Sequence, residues 1–355
     1  MEFAKLAVVL LLAGLGFKIA AVPFHFYAPD VYEGTSYPNA ALLSVVPKIA
    51  GFTALMRILL EVFPPGGEEV WTWRVVLALA VLTMTVGNVV GLWQEHVRRL
   101  LAYSSIGQAG YILAGLAVGL AGADSAGRTD GLAAVLLYLA VYALATVGAF
   151  SVLESLRRTG QPVETVEDLG GLARRRPWSA AWLSVFMFSL AGVPPLAGFW
   201  GKWAVVVGAI KTALSPSASP AQTIWLMFLA VLTMLNAAVA AGYYLRVVAA
   251  VYFRPSIRAA GPTGLSGPAV AAVLCGLLCV AIGLVPWPVW NAAGHAIGGF
   301  TSQVSGASVR SIGHGGLGTS PFWVGRSASG LSIPAGSSET VAFRSVGSAV
   351  GLPNR

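Results

Sequence analysis

Long apolar runs separated by short polar stretches set the plan of this chain. A bilayer's hydrocarbon core needs roughly 20 consecutive apolar residues per helix. Eight runs of that kind fall at about 3–28, 37–63, 74–93, 97–121, 131–157, 178–211, 221–253 and 265–291. They predict an all-α, polytopic membrane helix bundle of about eight transmembrane helices. The first run reads as a span and not as a cleaved leader. Lys18 interrupts its apolar stretch before any small-residue cleavage site, and Pro23 with further apolar residues follows. From about Thr301 the chain turns rich in Ser and Gly. Such a composition cannot bury enough surface to offset its conformational entropy, so 301–355 reads as a disordered tail.

Two of the spans are expected to be broken. Pro23 lies in the first, and Pro194 with Pro195 lies in the sixth, which is also much longer than one crossing needs. Each proline removes a backbone donor, as does Pro47 in the second span. Backbone opened at membrane depth is tolerated only where it lines a cavity or is buried in protein. Broken helices at that depth are recurrent ion sites in secondary transporters.

Composition agrees with the pattern. Apolar residues make up 56% of the 355 and charged residues only 10%, against about 25% charged in ordinary soluble domains. Mean hydropathy is +0.75. A soluble enzyme, a coiled coil and a disordered chain are all excluded. The net charge of +8 reflects topology. Arg98, Arg99, Arg157, Arg158, Arg174, Arg175, Arg176, Arg254 and Arg258 all follow odd-numbered spans, while Glu61, Glu68, Glu69, Asp124 and Asp130 lie in the opposite loops. The positive-inside rule makes the arginine side cytoplasmic and sends both termini outward. Asp30 and Glu33 are the acidic dissenters on that side, and no nucleic-acid partner is implied. Cys275 and Cys279 cannot form a disulfide framework and read as buried small residues. Gly87-x-x-x-Gly91 and Gly115-x-x-x-Gly119 read as close helix packing. Gly201-Lys202 is followed by Trp203, so no phosphate-cradling loop exists. No ligand cluster suggests haem, iron–sulfur or zinc.

Three lysines stand where charge is costly, about 2.5–3.5 kcal/mol at a helix centre on insertion scales. Lys18 is deep in the first span, Lys48 is near the middle of the second, and Lys202 follows the break in the sixth. A lysine beside an interrupted helix is a candidate proton carrier. His25 stands two helical turns after Lys18, nominally on the same face, and its near-neutral titration suits a supporting role. Glu154 reads instead as the partner of Arg157 and Arg158 at the end of the fifth span.

The segment from Phe17-Lys18 through Val22-Pro23-Phe24-His25 to Pro29-Asp30-Val31-Tyr32-Glu33-Gly34 closely resembles the antiporter-like membrane subunits of respiratory complex I, the bacterial NADH–quinone oxidoreductase, and subunit N above all. Val97 to Ser105, Leu190 to Phe199, and Gly242-Tyr243-Tyr244-Leu245-Arg246 add to the resemblance, which covers about residues 10–290. It implies a bundle of about fourteen helices with two inverted repeats of five. Lys18 would then be the central lysine of one broken helix, Lys48 a relay lysine on the next, and Lys202 the lysine of the second broken helix. Residues 1–63 would be the last two helices of the first repeat, 74–253 the whole second repeat, and 265–291 a final helix. The family's first six helices have no counterpart, including the glutamate that pairs with the central lysine, and Gln108 stands where relatives often carry His.

The resemblance implies proton translocation through Lys18, Lys48 and Lys202, driven by NADH-to-quinone electron transfer in other subunits. NAD, FMN, iron–sulfur clusters and quinone would belong to the wider complex, and no cofactor to this chain. The implied partners are other membrane-arm subunits, the lipid bilayer of a bacterial plasma membrane, and a separate chain supplying six helices. Two charges ~8 Å apart at an effective dielectric of ~20 repel by ~2 kcal/mol. Moving a proton against ~150 mV costs roughly 3.5 kcal/mol, so one lysine pair is insufficient and a chain of coupled charges is needed. Competing readings are a non-conducting structural fragment of that subunit, a cation/proton antiporter and a membrane hydrogenase subunit.

Overall fold

A computed structural model describes residues 2–62, 71–122, 125–158, 163–255 and 266–312. Its helices in chain order are α1 (Glu2–Ile19), α2 (Tyr27–Gly34), α3 (Tyr37–Val62), α4 (Trp71–Gly91), α5 (Val97–Ala121), α6 (Ser125–Arg158), α7 (Leu172–Arg175), α8 (Pro177–Ala191), α9 (Ala197–Ala213), α10 (Pro220–Phe253), α11 (Gly267–Leu284) and α12 (Trp287–Ile312). Among the described residues, α3, α4, α5, α6, α10 and α11 contain stretches long and apolar enough to cross a bilayer unaided. The two predicted spans missing from that set are the two expected to be broken. Each is instead a pair of short helices, α1 with α2 and α8 with α9. The tail expected from Thr301 falls inside α12 as far as Ile312, and residues 313–355 lie outside the described residues.

The packing described here lies within the unit of residues 1–310. α5 is almost wholly buried at its centre, with α4 and α6 against it. Its approach to α4 depends on glycine. A Cβ on Gly87 would come within 2.9 Å of the Gly107 Cα, so the helix axes close to a distance no side chain would permit. By contrast α1, α3, α10 and α11 turn apolar side chains outward, among them Leu10, Leu42, Val46, Leu235, Leu274 and Leu277. An exposed apolar surface of that extent requires lipid or protein against it.

The breaks have local causes. α1 stops at Ile19, and Ala20 takes φ +57°, a left-handed conformation that costs an L-residue about 1–2 kcal/mol. The Val22 amide, released from the helix, donates to Thr83 Oγ1 of α4 at 3.1 Å. α8 ends in Gly192 at φ +89°, whose amide donates back to the Phe188 and Ser189 carbonyls at 3.0 Å. That is a glycine C-cap at a conformation glycine adopts without strain. The Gly198 amide then starts α9 by donating to Ser189 Oγ at 3.1 Å. Both breaks contain a cis X-Pro bond, Val22–Pro23 and Pro194–Pro195. Pro47 behaves differently, because α3 runs through it unbroken.

The acidic dissenters have an explanation. Arg99 Nη1 donates to Asp30 Oδ1 at 2.8 Å and to Glu33 Oε2 at 2.6 Å. The two carboxylates therefore sit at the same end of the bundle as Arg98 and Arg99, and both are paired with Arg99. Arg98 caps the same turn by donating to the Thr35 carbonyl at 2.8 Å.

Candidate functional site

Lys48 projects from the middle of α3 and is 2% exposed. Its Nζ donates to Ser105 Oγ of α5 at 2.7 Å. The same hydroxyl meets Tyr142 OH of α6 at 2.8 Å and Tyr32 OH of α2 at 3.3 Å. Tyr142 also donates to the Ser44 carbonyl, one turn before Lys48, at 3.1 Å. Four helices thus converge on one ammonium group through neutral hydroxyls.

Lys202 is 6% exposed on α9. Its Nζ donates to the carbonyls of Leu190 at 2.9 Å and Ala191 at 2.7 Å. These are among the last carbonyls of α8, which a helix end leaves without intrahelical donors. They also carry the negative end of the helix dipole. The ammonium group lies 4.9 Å from the centre of the Tyr111 ring, a cation–π distance. Tyr111 OH accepts from Asn88 Nδ2 at 2.9 Å, and Asn88 Oδ1 accepts from Tyr243 OH at 3.1 Å. The proline break is therefore what creates the cation's seat.

Gln108, one turn after Ser105 on α5, stands between the two clusters. Its Nε2 donates to the Leu190 carbonyl at 3.0 Å, the same oxygen that holds Lys202, and to Tyr244 OH at 3.0 Å. Its Oε1 accepts from Tyr138 OH at 2.6 Å. Tyr244 in turn bonds Ser104 Oγ. Tyr138 and Tyr142 are one turn apart on α6, so each lysine cluster contains one of them. Between them lies a gap of about 10 Å³ lined by Gln108, Tyr138, Tyr142, Ser189 and Leu190. That is about the room one water molecule needs.

Lys18 is not brought into this network. It lies in the last turn of α1, is exposed, and makes no hydrogen bond or ion pair among the described residues. His25 is 7% exposed, with Nδ1 lacking a hydrogen-bond partner. The shared face expected from two-turn spacing does not exist, because the left-handed turn at Ala20 ends the helical phase between them. Glu154 takes the partners expected of it. Arg157 Nε donates to Oε2 at 2.8 Å and Arg158 Nε to Oε1 at 2.9 Å. The carboxylate is nonetheless 2% exposed, covered by its own arginines.

Sequence reasoning missed the hydroxyl groups. Ser105, Tyr142, Tyr138, Tyr111 and Tyr244 are all buried; Ser105 and Tyr111 meet a lysine, Tyr142 meets Ser105, and Tyr138 and Tyr244 meet Gln108. One signal was readable: Tyr138 and Tyr142 at helical spacing, opposite Ser105 and Gln108 at matching spacing. Among the described residues, no group of three or more His, Cys, Asp or Glu could hold a metal ion.

Comparison with known proteins converges on the same region. Residues 3–233 match the family model described as NADH:quinone oxidoreductase/Mrp antiporter, transmembrane. NADH-quinone oxidoreductase subunit N of Rhodospirillum rubrum is 40% identical over 275 residues, which are 78% of this chain and 52% of that protein. The protein of the same name from Paramagnetospirillum magneticum is 42% identical over 287 residues, 80% and 54% of the two chains. A chain of respiratory complex I from Thermus thermophilus with bound aureothin superposes at a TM-score of 0.63 with 37% identity, over 81% of this chain and 58% of that one. The chain spans about half the length of the relatives it matches.

Proposed function

The chain belongs to the NADH:quinone oxidoreductase/Mrp antiporter membrane family, and from that membership we propose that it serves as a proton-translocating membrane-arm subunit of a bacterial NADH–quinone oxidoreductase. The observation that carries the proposal is the buried polar chain from Lys48 through Ser105 and Tyr142, across one small gap, to Tyr138, Gln108, the Leu190 carbonyl and Lys202. A proton can pass along hydroxyls and one water only if donors and acceptors follow one another at hydrogen-bond distance. Lys48, Ser105 and Tyr142 meet that condition on one side of the gap. On the other side Tyr138 donates to Gln108, while Gln108 and Lys202 share the Leu190 carbonyl as acceptor, so transfer to Lys202 requires one of these bonds to rearrange. Among the described residues no carboxylate pairs with either ammonium, so neighbouring charge and burial bear directly on its protonation.

Lys202 held by the end of a half-helix resembles the ion seats of discontinuous helices in transporters. Lys18, in the last turn of a half-helix, is the third proposed carrier, and His25 the proposed supporting group. The exposure of Lys18 leaves its face available to a further polypeptide. In domain terms, α1 to α3 correspond to the end of a first five-helix repeat, α4 to α10 to a second, and α11 to a final helix. The matched pair of breaks supports this division. The electron-transfer groups, NAD, FMN, iron–sulfur clusters and quinone, are proposed to lie in the wider complex.

The test is proton uptake by proteoliposomes containing the whole oxidoreductase, read per NADH oxidised. Lys202→Ala and Lys18→Ala should each lower uptake while the bundle still assembles. Wild-type uptake from a correctly assembled variant would overturn the proposal.

A further inference from the structure

Lys202 Nζ donates to the Leu190 and Ala191 carbonyls at 2.9 and 2.7 Å. They draw the cation at the end of a helix dipole, yet a neutral amine still has two N–H groups and can hold both. The ammonium carries a third N–H, and among the described residues no oxygen takes it. The face of Tyr111 stands there instead, its ring centre 4.9 Å from Nζ. A ring face attracts a cation through its quadrupole and gives a neutral amine little. The ring contact is therefore lost with the charge, whereas the carbonyl contacts survive it.

The hydroxyl of Tyr111 fixes the attitude of that ring. It accepts from Asn88 Nδ2 of α4 at 2.9 Å, and Asn88 Oδ1 accepts from Tyr243 OH of α10 at 3.1 Å. Asn236, also on α10, continues the ladder by donating from Nδ2 to Thr85 Oγ1 at 3.2 Å. Asn88 and Tyr111 are wholly buried, where a polar group without a partner costs free energy. A phenylalanine would supply the same ring and need none of these partners. The amide also needs room, since a Cβ on Gly107 would stand 2.5 Å from Asn88 Oδ1. The neighbouring Tyr138 ring lies nearly parallel to Tyr111, at 18° with centroids 6.2 Å apart, and restricts the same tilt.

We infer that Tyr111 tunes the loading of Lys202 through its ring face, and that Asn88 is the positioning residue that holds the face in place. This rests on the proton-carrier reading of Lys202 and adds the group that makes its seat respond to charge.

The experiment replaces Tyr111 in the whole oxidoreductase by phenylalanine and by its mono-, di- and trifluorinated analogues, reading proton uptake per NADH oxidised in proteoliposomes. Fluorine weakens the negative face while the ring nearly keeps its shape. Tyr111→Phe should retain most of the uptake, and each added fluorine should lower it. The trifluorinated ring and Tyr111→Leu should approach a loss of roughly 30-fold, equivalent to about 2 kcal/mol for a desolvated cation–π contact. Asn88→Ala should lower uptake when Tyr111 is present, but change it by roughly twofold or less once Tyr111→Leu has removed the ring, because coupled residues are not additive. Should Asn88→Ala fail to assemble, the fluorine series decides, since it leaves Asn88 in place. Equal uptake across the series would overturn the inference, as would an Asn88→Ala effect of full size beside Tyr111→Leu. Lys202→Ala separates the two levels. If it lowers uptake and the series is flat, the tuning role alone fails; if it leaves uptake at the wild-type value, the carrier reading and the tuning role fail together.

Discussion

Ser105→Ala removes one oxygen and tests the relay where it is narrowest. Ser105 Oγ is the acceptor for Lys48 Nζ at 2.7 Å, and it also meets Tyr142 and Tyr32. Lys48 is 2% exposed, so water cannot simply replace the lost partner. A hydrogen bond to a charged group contributes about 1.5–3 kcal/mol. Its loss disfavours the charged ammonium by roughly 10- to 100-fold, at a factor of ten per 1.36 kcal/mol. Transfer through Lys48 should slow correspondingly, because the carrier spends less time loaded. The assay is dye-detected proton uptake in proteoliposomes of the whole oxidoreductase, with NADH oxidation followed in the same sample. Uptake should fall by roughly tenfold at the low end of that estimate, and Ser105→Thr, which keeps the hydroxyl, should restore much of it. Full uptake in an assembled Ser105→Ala enzyme would refute the reasoning, since protons would then pass without the Lys48 seat.

Gly192→Ala should disturb the second seat. The site has φ +89°, and a Cβ there would lie 2.9 Å from Lys202 Cδ. Backbone strain of about 1–2 kcal/mol should lower the melting temperature, and displacement of Lys202 should reduce uptake; a variant with wild-type values of both contradicts the assignment. Gln108→Leu leaves Tyr138 OH without its acceptor, at about 1–3 kcal/mol for a buried group left unpaired, and should slow uptake more than it lowers stability. Gln108→His restores a titratable group there and should give uptake a new dependence on pH between about 5 and 8; a profile identical to wild type would argue against transfer through this position. At the polar end of the bundle, Arg99 donating to Glu33 holds the carboxyl below its usual 4.5. A depressed carboxylate stabilises above the unfolded value and loses that contribution as pH falls through the folded one. Hydrogen exchange of α2 amides should therefore accelerate below about pH 4.5 in wild type and be insensitive to that change in Arg99→Ala.

Much of this architecture was legible in the chain itself. The places of the spans follow from hydrocarbon thickness, and the two broken crossings from Pro23, Pro194 and Pro195. Those are local rules, each acting within a few residues. Pro47 shows their limit, since the same missing donor left α3 continuous. The three lysines were visible because charge in an apolar run is costly wherever the run packs. Their fates were not visible. Lys48 and Lys202 turned inward to hydroxyls and carbonyls, and Lys18 turned out. Helical spacing says which residues share a face and nothing about what lies opposite. In a membrane the ambiguity is worse, because lipid and protein neighbours are equally apolar and the facing direction leaves no hydrophobic signature. The partner of Lys48 is 57 residues away on another helix, and the seat of Lys202 exists only because α8 stops where α9 begins. Assembly of the helices around α5 settled those pairings, since only close packing could bring Ser105, Gln108 and the tyrosines of α6 between the two charges.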